Sequence, residues 1–159
     1  NNREGPAHAF PRIAKAIGLA ASAASSKRGS GKCPRCDIPL AEIHYEGVPI
    51  EACPHCQGKL VETGGVARIV ARKEVRFSEA ILQEARRRRE KFFHTGQRKT
   101  EGTISHEAFP CPRCGSKMLP RPYSYNYFIP VEKCLACRRI WFDADELEIL
   151  QAMIEETRG

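Results

Sequence analysis

The sequence has no apolar run long enough to cross a membrane and no recognisable export signal. Its 159 residues contain no stretch of eighteen consecutive apolar side chains, whereas about twenty are needed to span the hydrocarbon core of a bilayer. No apolar segment with a small-residue cleavage site precedes the first cysteine. We therefore expect a cytoplasmic, reducing location, with any membrane contact made through segments outside this chain.

No cysteine stands outside a Cys-x-x-Cys pair. The eight cysteines form two sets of four: Cys33, Cys36, Cys53 and Cys56, followed by Cys111, Cys114, Cys134 and Cys137. Two such turns can bring four thiolates together around one tetrahedral Zn²⁺. The sequence therefore predicts two zinc ions per chain. The competing interpretation, a disulfide framework, is typical of small secreted proteins and fits this chain less well.

The two cysteine sets belong to an internal repeat. The tetrapeptide CPRC opens both sets, and VPIEACPHC from Val48 aligns without gaps with IPVEKCLAC from Ile129. The alignment continues from Leu60-Val61-Glu62 onto Trp141-Phe142-Asp143. We infer a duplicated unit of about forty residues. A unit this small buries too little apolar surface to fold by core packing alone, so we expect the metal to stabilise it.

Each repeat reads as a zinc ribbon, a short β-hairpin with a metal at its base. In the first, Ile38–Tyr45 alternates loosely, Glu46-Gly47 favours a turn and Val48–Ala52 returns toward the second cysteine pair. A strand ending near Val61 and a weak helix from about Gly64 follow. The predicted fold is small, metal-stabilised α+β: two tandem four-cysteine zinc ribbons, each with a β-hairpin and a short helix, joined by a basic helical linker.

The predicted organisation has four parts. They are an N-terminal basic tail (1–32), zinc ribbon 1 (33–72), a helical linker and loop (73–110, with the helix at about 77–93) and zinc ribbon 2 with a C-terminal helix (111–157). In the tail, apolar residues from Phe10 to Ala20 recur at helical spacing. That segment has two interpretations: a docking or membrane-surface helix, or a weakly ordered tail, which the behaviour of chain termini favours.

The formal charge of +7 lies outside the ribbons. Residues 1–32 carry six basic and one acidic side chain, and residues 71–110 carry ten and six. The linker's basic run is Arg86, Arg87, Arg88, Arg89 and Lys91. It predicts either phosphate contact without sequence readout or a solvated helix surface with internal ion pairs, such as Glu84 with Arg88. We name these five residues as the candidate partner-binding set.

The second repeat has a set of aromatic residues. Tyr123, Tyr125 and Tyr127 alternate with polar residues, which predicts three aromatics on one face of a strand. Such a face can stack bases, but in a unit this small we favour a role in the core. Asp143 followed by Glu146 predicts the start of a helix. The apolar side of that helix would consist of Leu147, Leu150, Met153 and Ile154.

Both repeats resemble the transcription factor IIB-type zinc ribbon family. The family pattern is Cys-Pro-x-Cys, a hairpin, an acidic residue before a second Cys-Pro-x-Cys, and then Gly-x-Trp-x-Asp-x-Gly-Glu-Leu opening a helix. The matching residues are Glu51, Cys53, Pro54, Cys56 and Gly58 in the first repeat, and Glu132, Cys134, Cys137, Trp141, Asp143, Glu146 and Leu147 in the second. The departures are Leu60 for tryptophan, Gly65 for glutamate, Leu135 for proline and Arg139 for glycine. The resemblance implies zinc binding and an interaction with nucleic acid or protein, often as an appendage to a larger machine or membrane protein.

Three functions follow as hypotheses. The leading one is a non-enzymatic zinc adaptor that binds another protein, as part of a larger regulatory or membrane-associated protein and without a small-molecule substrate. A protein partner is favoured over nucleic acid because the ribbons are acidic or neutral, whereas phosphate contact requires a basic face. The alternatives are a transcription-related nucleic-acid-binding protein that uses the basic linker, and a redox-sensing zinc thiol switch. A zinc hydrolase fits poorly, because catalytic zinc keeps an open position and usually has a histidine ligand.

Overall fold

The structure of the chain is a computed structural model that describes residues 31–72, 76–95 and 108–158, without the side chains of residues 92–95. The predicted tail helix between Phe10 and Ala20 lies outside the described residues, as does most of the predicted loop at 94–110. Within the described ranges, no helix has the length and apolar character that crossing a membrane requires.

The described residues form six strands and three helices. In chain order they are β1 (Ala41–Tyr45), β2 (Val48–Ala52), β3 (Lys59–Glu62), α1 (Thr63–Ala71), α2 (Glu79–Thr95), β4 (Leu119–Pro122), β5 (Pro130–Cys134), β6 (Arg139–Phe142) and α3 (Glu146–Arg158). Each repeat therefore contributes three strands followed by a helix, and α2 lies between the repeats.

The β1–β2 hairpin shows how local sequence sets a ribbon. Tyr45 pairs with Val48, so the two-residue turn is Glu46-Gly47, as predicted. Both turn residues have positive φ, 49° and 71°, which is the requirement of a type I′ turn and suits the twist of the flanking strands. Glycine adopts such a φ without strain, and glutamate adopts it at a cost.

The six strands form one antiparallel sheet in the order β1-β2-β3-β6-β5-β4. The two ribbons therefore meet edge to edge, because β3 of the first pairs with β6 of the second. In this register Leu60 lies opposite Trp141, and these residues occupy equivalent positions in the two repeats. A pseudo-two-fold axis consequently passes between them. We call the β3–β6 pairing the seam.

The two faces of the sheet have different cores. Strand side chains alternate between the faces, and all three helices pack on the same one. The buried core of this helix face includes Val61, Val66, Ile140, Phe142 and Leu150. The opposite face carries the cysteines of both repeats and a second core. We call it the metal face.

The helix α3 is buried more completely than its apolar pattern predicts. The four residues expected on its apolar side are buried, and so are Ile149, Gln151 and Ala152. The Gln151 amide is accommodated because its carbonyl oxygen accepts a hydrogen bond of 2.6 Å from the Tyr45 hydroxyl. The extra burial arises because α3 packs against both α1 and α2 and also shares the helix-face core with strand residues.

The prediction of a tyrosine-bearing strand is wrong. The strand β4 ends at Pro122, and Tyr123–Phe128 is a loop. The loop closes on itself: the Ser124 hydroxyl accepts a hydrogen bond from the Tyr127 N–H at 3.2 Å, and the Ser124 N–H donates to the Tyr127 carbonyl. Tyr123 and Tyr127 pack partly against the helix-face core, whereas Tyr125 is 64% exposed. The expected core role therefore applies to two of the three tyrosines.

Candidate metal centres

The eight cysteine sulfurs come together as two quartets, as the sequence predicts. Within each quartet all four sulfurs lie within 4.8 Å of one another. The Sγ–Sγ distance is 3.6 Å for Cys33 and Cys56, and 3.4 Å for Cys114 and Cys134. A Zn²⁺ ion bonded to four sulfurs at about 2.3 Å in a tetrahedron keeps them about 3.8 Å apart. The quartets are therefore close to the size that zinc requires.

Burial follows the same pattern in both quartets. The first and third cysteines are buried, and the second and fourth are half-buried. The buried pair comes from Cys33 and Cys53 in the first site and from Cys111 and Cys134 in the second. Each site therefore has one side against the metal-face core and one side toward solvent.

Every Cys-x-x-Cys turn ends with a residue in the left-handed region. These residues are Asp37 (φ 56°), Gln57 (φ 63°), Gly115 (φ 78°) and Arg138 (φ 58°). At the first three, the backbone N–H donates to the carbonyl of the cysteine that opens the turn, at 2.9 to 3.0 Å. Only Gly115 adopts this conformation without a steric cost. The other three turns accept the strain because the conformation directs the backbone N–H groups toward the sulfurs.

Backbone N–H groups surround the first site. The N–H of Arg35 points to the Cys33 sulfur at 3.4 Å, and the N–H of Gly58 points to the Cys56 sulfur at 3.4 Å. Such donors favour the charged thiolate over the neutral thiol. The turns are therefore suited to the deprotonated form that binds a metal ion.

The cysteine pKa values differ within each quartet. Burial by itself raises the pKa of Cys114, but hydrogen bonds from the Ser116 side chain and N–H outweigh it and lower that pKa to about 6. The pKa of Cys53 is also lowered, because N–H groups of its own turn outweigh the effect of burial. Burial raises the pKa values of Cys33 and Cys111 well above the ordinary range. A divalent cation is what allows all four sulfurs of a site to ionise together.

The donor set fits structural zinc. Four thiolates fill a tetrahedral shell, and neither cluster found in the described ranges includes a histidine or a carboxylate. A catalytic site instead keeps one position for water or substrate. Zinc here would fix the two turns of each ribbon relative to one another.

A family model described as a transcription factor zinc-finger, the TFIIB-type zinc ribbon, matches the chain twice, at residues 32–72 and 110–153. Each match contains one cysteine quartet, and together the matches cover more than half of the chain. The chain belongs to the TFIIB-type zinc ribbon family. No curated protein and no solved structure matches it significantly. Two zinc ions, one per ribbon, therefore agree with both the family and the geometry.

The departures from the TFIIB-type pattern compensate for one another across the seam. The Trp141 indole lies so close to the Gly58 backbone that an added Cβ would be 2.2 Å from its Cζ2 atom. The glycine of ribbon 1 thus makes room for the tryptophan of ribbon 2. By the pseudo-symmetry, Leu60 of ribbon 1 stands in the same relation to Arg139 of ribbon 2. Ribbon 2 has Arg139 in place of the family's glycine, and ribbon 1 has the smaller Leu60 in place of the family's tryptophan.

Two residues near these zinc ribbon sites were missed by the sequence analysis. They are Arg35 and Arg113, the variable residue of each Cys-Pro-x-Cys turn. Arg35 contacts Glu132 and Asp143 of the other ribbon, and Arg113 contacts Glu51 of the first. The available signal was that the repeat retains arginine in both CPRC turns and glutamate in both VPIE-like strands.

The structure places the candidate partner-binding set on α2, on the helix face and away from both quartets. Arg88 makes two contacts with Glu146 of α3, the shorter at 2.7 Å, and the predicted pair with Glu84 is confirmed at 2.7 Å. The carboxylate of Glu156 lies 2.9 Å from Arg86 and 3.7 Å from Arg89.

The two remaining members of the set are more exposed. Arg87 pairs with Glu84, although its side chain is 77% exposed, and Lys91 is exposed as well. All four arginines therefore have a carboxylate of the chain within ion-pair distance. Arg86, Arg88 and Arg89 of the run therefore connect α2 to α3 through ion pairs, while Arg87 and Lys91 face solvent.

Proposed function

We propose that this chain is a non-catalytic zinc module that binds another protein, in the cytoplasm. The observation that carries the proposal is that the arginine run of α2 is already ion-paired within the chain. Each of Arg86, Arg87, Arg88 and Arg89 lies beside a carboxylate of the chain itself. An arginine beside a glutamate attracts a phosphate group less strongly, because the nearby carboxylate offsets its positive charge.

The charge balance supports the same proposal. The described residues contain 18 basic and 15 acidic side chains, a difference of +3. Each zinc ion with four thiolates adds a charge of −2, so two loaded sites bring this part of the chain to −1. A nucleic-acid-binding domain typically has a concentrated basic surface. The remaining positive charge belongs to residues outside the described ranges, mainly 1–30, with five basic side chains and one acidic.

An apolar side chain on the second site offers a contact for a protein. Leu135 lies between Cys134 and Cys137, where the family pattern has proline, and is 73% exposed. A leucine at the tip of a metal-fixed turn loses little conformational freedom of the backbone when it binds. Apolar contact of this kind contributes to protein interfaces and not to phosphate binding.

The proposal is tested on the zinc-loaded full chain with two measurements. The first follows binding of double- and single-stranded nucleic acid between low and physiological salt, for the wild type and an Arg86→Gln, Arg87→Gln, Arg89→Gln variant. We expect the same binding for both, because these arginines already lie beside carboxylates of the chain. If α2 did contact nucleic acid, the salt dependence of binding would fall by roughly one phosphate contact for each arginine removed. A clear loss of nucleic-acid binding in the variant would contradict the proposal.

The second measurement asks for the protein partner itself. Cross-linking in the native cell extract should join the zinc-loaded chain to a defined partner, and Leu135→Asp should reduce that product while leaving two zinc ions bound. The matched control is Tyr125→Asp, which introduces the same charge at the other large hydrophobic side chain that is exposed among the described residues. Equal cross-linking by both variants would show that the second metal site is not the contact.

A second candidate function, the redox-sensing thiol switch, is favoured by one observation. The second and fourth cysteines of each quartet are half-buried rather than buried, so an oxidant can approach them. A switch requires that mild peroxide release zinc reversibly and that these thiols react with an alkylating reagent in the native protein. Retention of both zinc ions under peroxide, with no alkylation, would remove this candidate.

A further inference from the structure

The seam joins two metal sites that the sequence presents as separate units. The β3–β6 pairing includes four residue pairs, from Lys59 opposite Phe142 to Glu62 opposite Arg139. The last pair adds a salt bridge at 3.5 Å. In addition, the N–H and hydroxyl of Thr63 both donate to the Arg138 carbonyl, at 3.0 and 2.8 Å. Arg138 directly follows a cysteine of the second site, so this contact ties α1 to that site's second turn.

The two quartets share one buried core on the metal face. Leu40, Leu60, Phe109, Met118 and Trp141 form a single cluster with the sulfurs of both sites. Leu40 and Leu60 belong to the first repeat, Met118 and Trp141 belong to the second, and Phe109 lies just before the second repeat. Neither site therefore has an apolar environment of its own, and disorder at one site would expose part of the core that covers the other.

A reciprocal pair of ion bridges links each site to the strand that supports the other. The Arg35 guanidinium lies 3.1 Å from Glu132, and the Arg113 guanidinium lies 3.0 Å from Glu51. Each arginine is in the first turn of its own site, and each glutamate is two residues before the third cysteine of the opposite site. The first turn of each site thus holds the strand that leads into the second turn of the other.

The bridge on the Arg35 side is the more buried of the two. The Arg35 side chain is 30% exposed and the Glu132 side chain is 3% exposed, whereas the Arg113 and Glu51 side chains are 45% and 24% exposed. Arg35 also makes a two-pronged contact with Asp143, with both distances at 3.1 Å, and it lies over the Phe109 ring at 5.0 Å. Loss of the first turn would remove the charge that compensates a buried glutamate, which is costly.

We propose that the two sites bind zinc cooperatively, and that the seam and its reciprocal arginine–glutamate bridges transmit the coupling. A site without metal loses the fixed geometry of its turns, because the zinc ion is what joins the two turns of a site to one another. Its arginine and its part of the shared core are then no longer in place to support the other site. Coupling between sites is typically about 5- to 150-fold in affinity, and we expect at least about tenfold here.

Native mass spectrometry of the reduced full chain during zinc titration measures this coupling directly. At half-loading, independent sites leave at least about half of the molecules with one zinc ion, whereas tenfold coupling of two equal sites lowers this fraction to about one quarter. We expect the fraction of one-zinc molecules to fall clearly below one half. An uncoupled pair cannot produce that result, whatever the two separate affinities are.

Seam variants test the route of the coupling. Arg113→Met and Arg35→Met, each shown to retain two zinc ions at saturation, should raise the one-zinc fraction toward one half. The matched control Arg121→Met changes an exposed arginine on the outer strand β4 and should behave as the wild type does. Exchanging the charges in an Arg113→Glu, Glu51→Arg double variant should restore part of the coupling.

Two outcomes would overturn the proposal. One is a wild-type one-zinc fraction of one half or more that the seam variants do not change. The other is a low wild-type fraction that Arg113→Met and Arg35→Met leave unaltered, because the coupling would then run through some other part of the molecule.

Discussion

Gly58 is a position where one added methyl group should disturb both ribbons. It lies two residues after Cys56, and its carbonyl accepts a hydrogen bond from the Cys53 N–H at 2.8 Å. A Cβ atom placed there would be 2.2, 2.8 and 3.0 Å from three atoms of the Trp141 indole. These distances are shorter than carbon atoms tolerate, so either the turn or the indole must move in a Gly58→Ala variant.

The indole has little freedom to move. Trp141 is 0% exposed, its Nε1 donates to Asp143 at 3.0 Å, and the Phe109 ring packs against it edge to face with centroids 6.3 Å apart. Overpacking a core costs about 1 to 3 kcal/mol, and a rigid ring held on two sides argues for the upper part of that range. For a chain of this size, a loss of about 2 to 3 kcal/mol lowers Tm by about 4 to 12 °C.

Denaturant unfolding of the zinc-loaded chain checks this expectation. Trp141 is the only tryptophan in the sequence, so its fluorescence reports directly on the packing in question. The matched control is Gly64→Ala, because a Cβ at Gly64 meets nothing within 4 Å and alanine favours a helix over glycine by up to about 1 kcal/mol. The same chemical change should therefore destabilise at position 58 and be neutral or stabilising at position 64.

A double variant separates the steric clash from other effects. Combining Gly58→Ala with Trp141→Leu, the residue at the equivalent position of ribbon 1, removes the ring that the methyl group meets. The cost of Gly58→Ala should then be smaller by about 1 kcal/mol or more, a coupling expected for residues in contact. Circular dichroism replaces fluorescence for this variant. Wild-type stability and unchanged indole emission in the Gly58→Ala protein would show that the turn accepts a methyl group beside Trp141.

Three further predictions concern the metal, α2 and the buried polar network. Chelation should remove two zinc ions per chain and unfold both ribbons, because each site contributes about 10 to 16 kcal/mol to folding; a folded metal-free chain by circular dichroism would contradict this. Arg88→Met should destabilise the chain by about 1 to 3 kcal/mol because it leaves the half-buried Glu146 without its two-pronged partner. The control Arg87→Met, on an exposed side chain, should cost less than about 0.5 kcal/mol. Equal urea unfolding midpoints for these two variants would rule out docking of α2 through the Arg88–Glu146 pair. Tyr45→Phe should cost about 1 to 2 kcal/mol in thermal unfolding, because the buried Gln151 carbonyl loses a donor at 2.6 Å, and an unchanged Tm would mean that water replaces the hydroxyl.

The local features of each ribbon could be predicted because short-range rules determine them. Cysteine spacing identified both quartets, and Glu46-Gly47 identified the turn between β1 and β2. The prediction that Tyr123, Tyr125 and Tyr127 lie on a strand failed because alternation alone does not show where a strand ends. Alternating side chains describe a strand only where the backbone can continue one, and beyond Pro122 the Ser124–Tyr127 hydrogen bonds close a loop instead.

The zinc ribbon class, the positions of the eight cysteine ligands and the duplication of the unit can all be read from the amino-acid sequence. The folded chain was needed to see that β3 pairs with β6, that Arg35 and Arg113 contact the other repeat, and that both sites share one core. The reason is that ligand spacing and turn residues act over a few positions of the chain. Which strand edges meet depends on the fit of side chains about eighty residues apart in sequence, and Gly58 beneath Trp141 is the clearest instance of that fit.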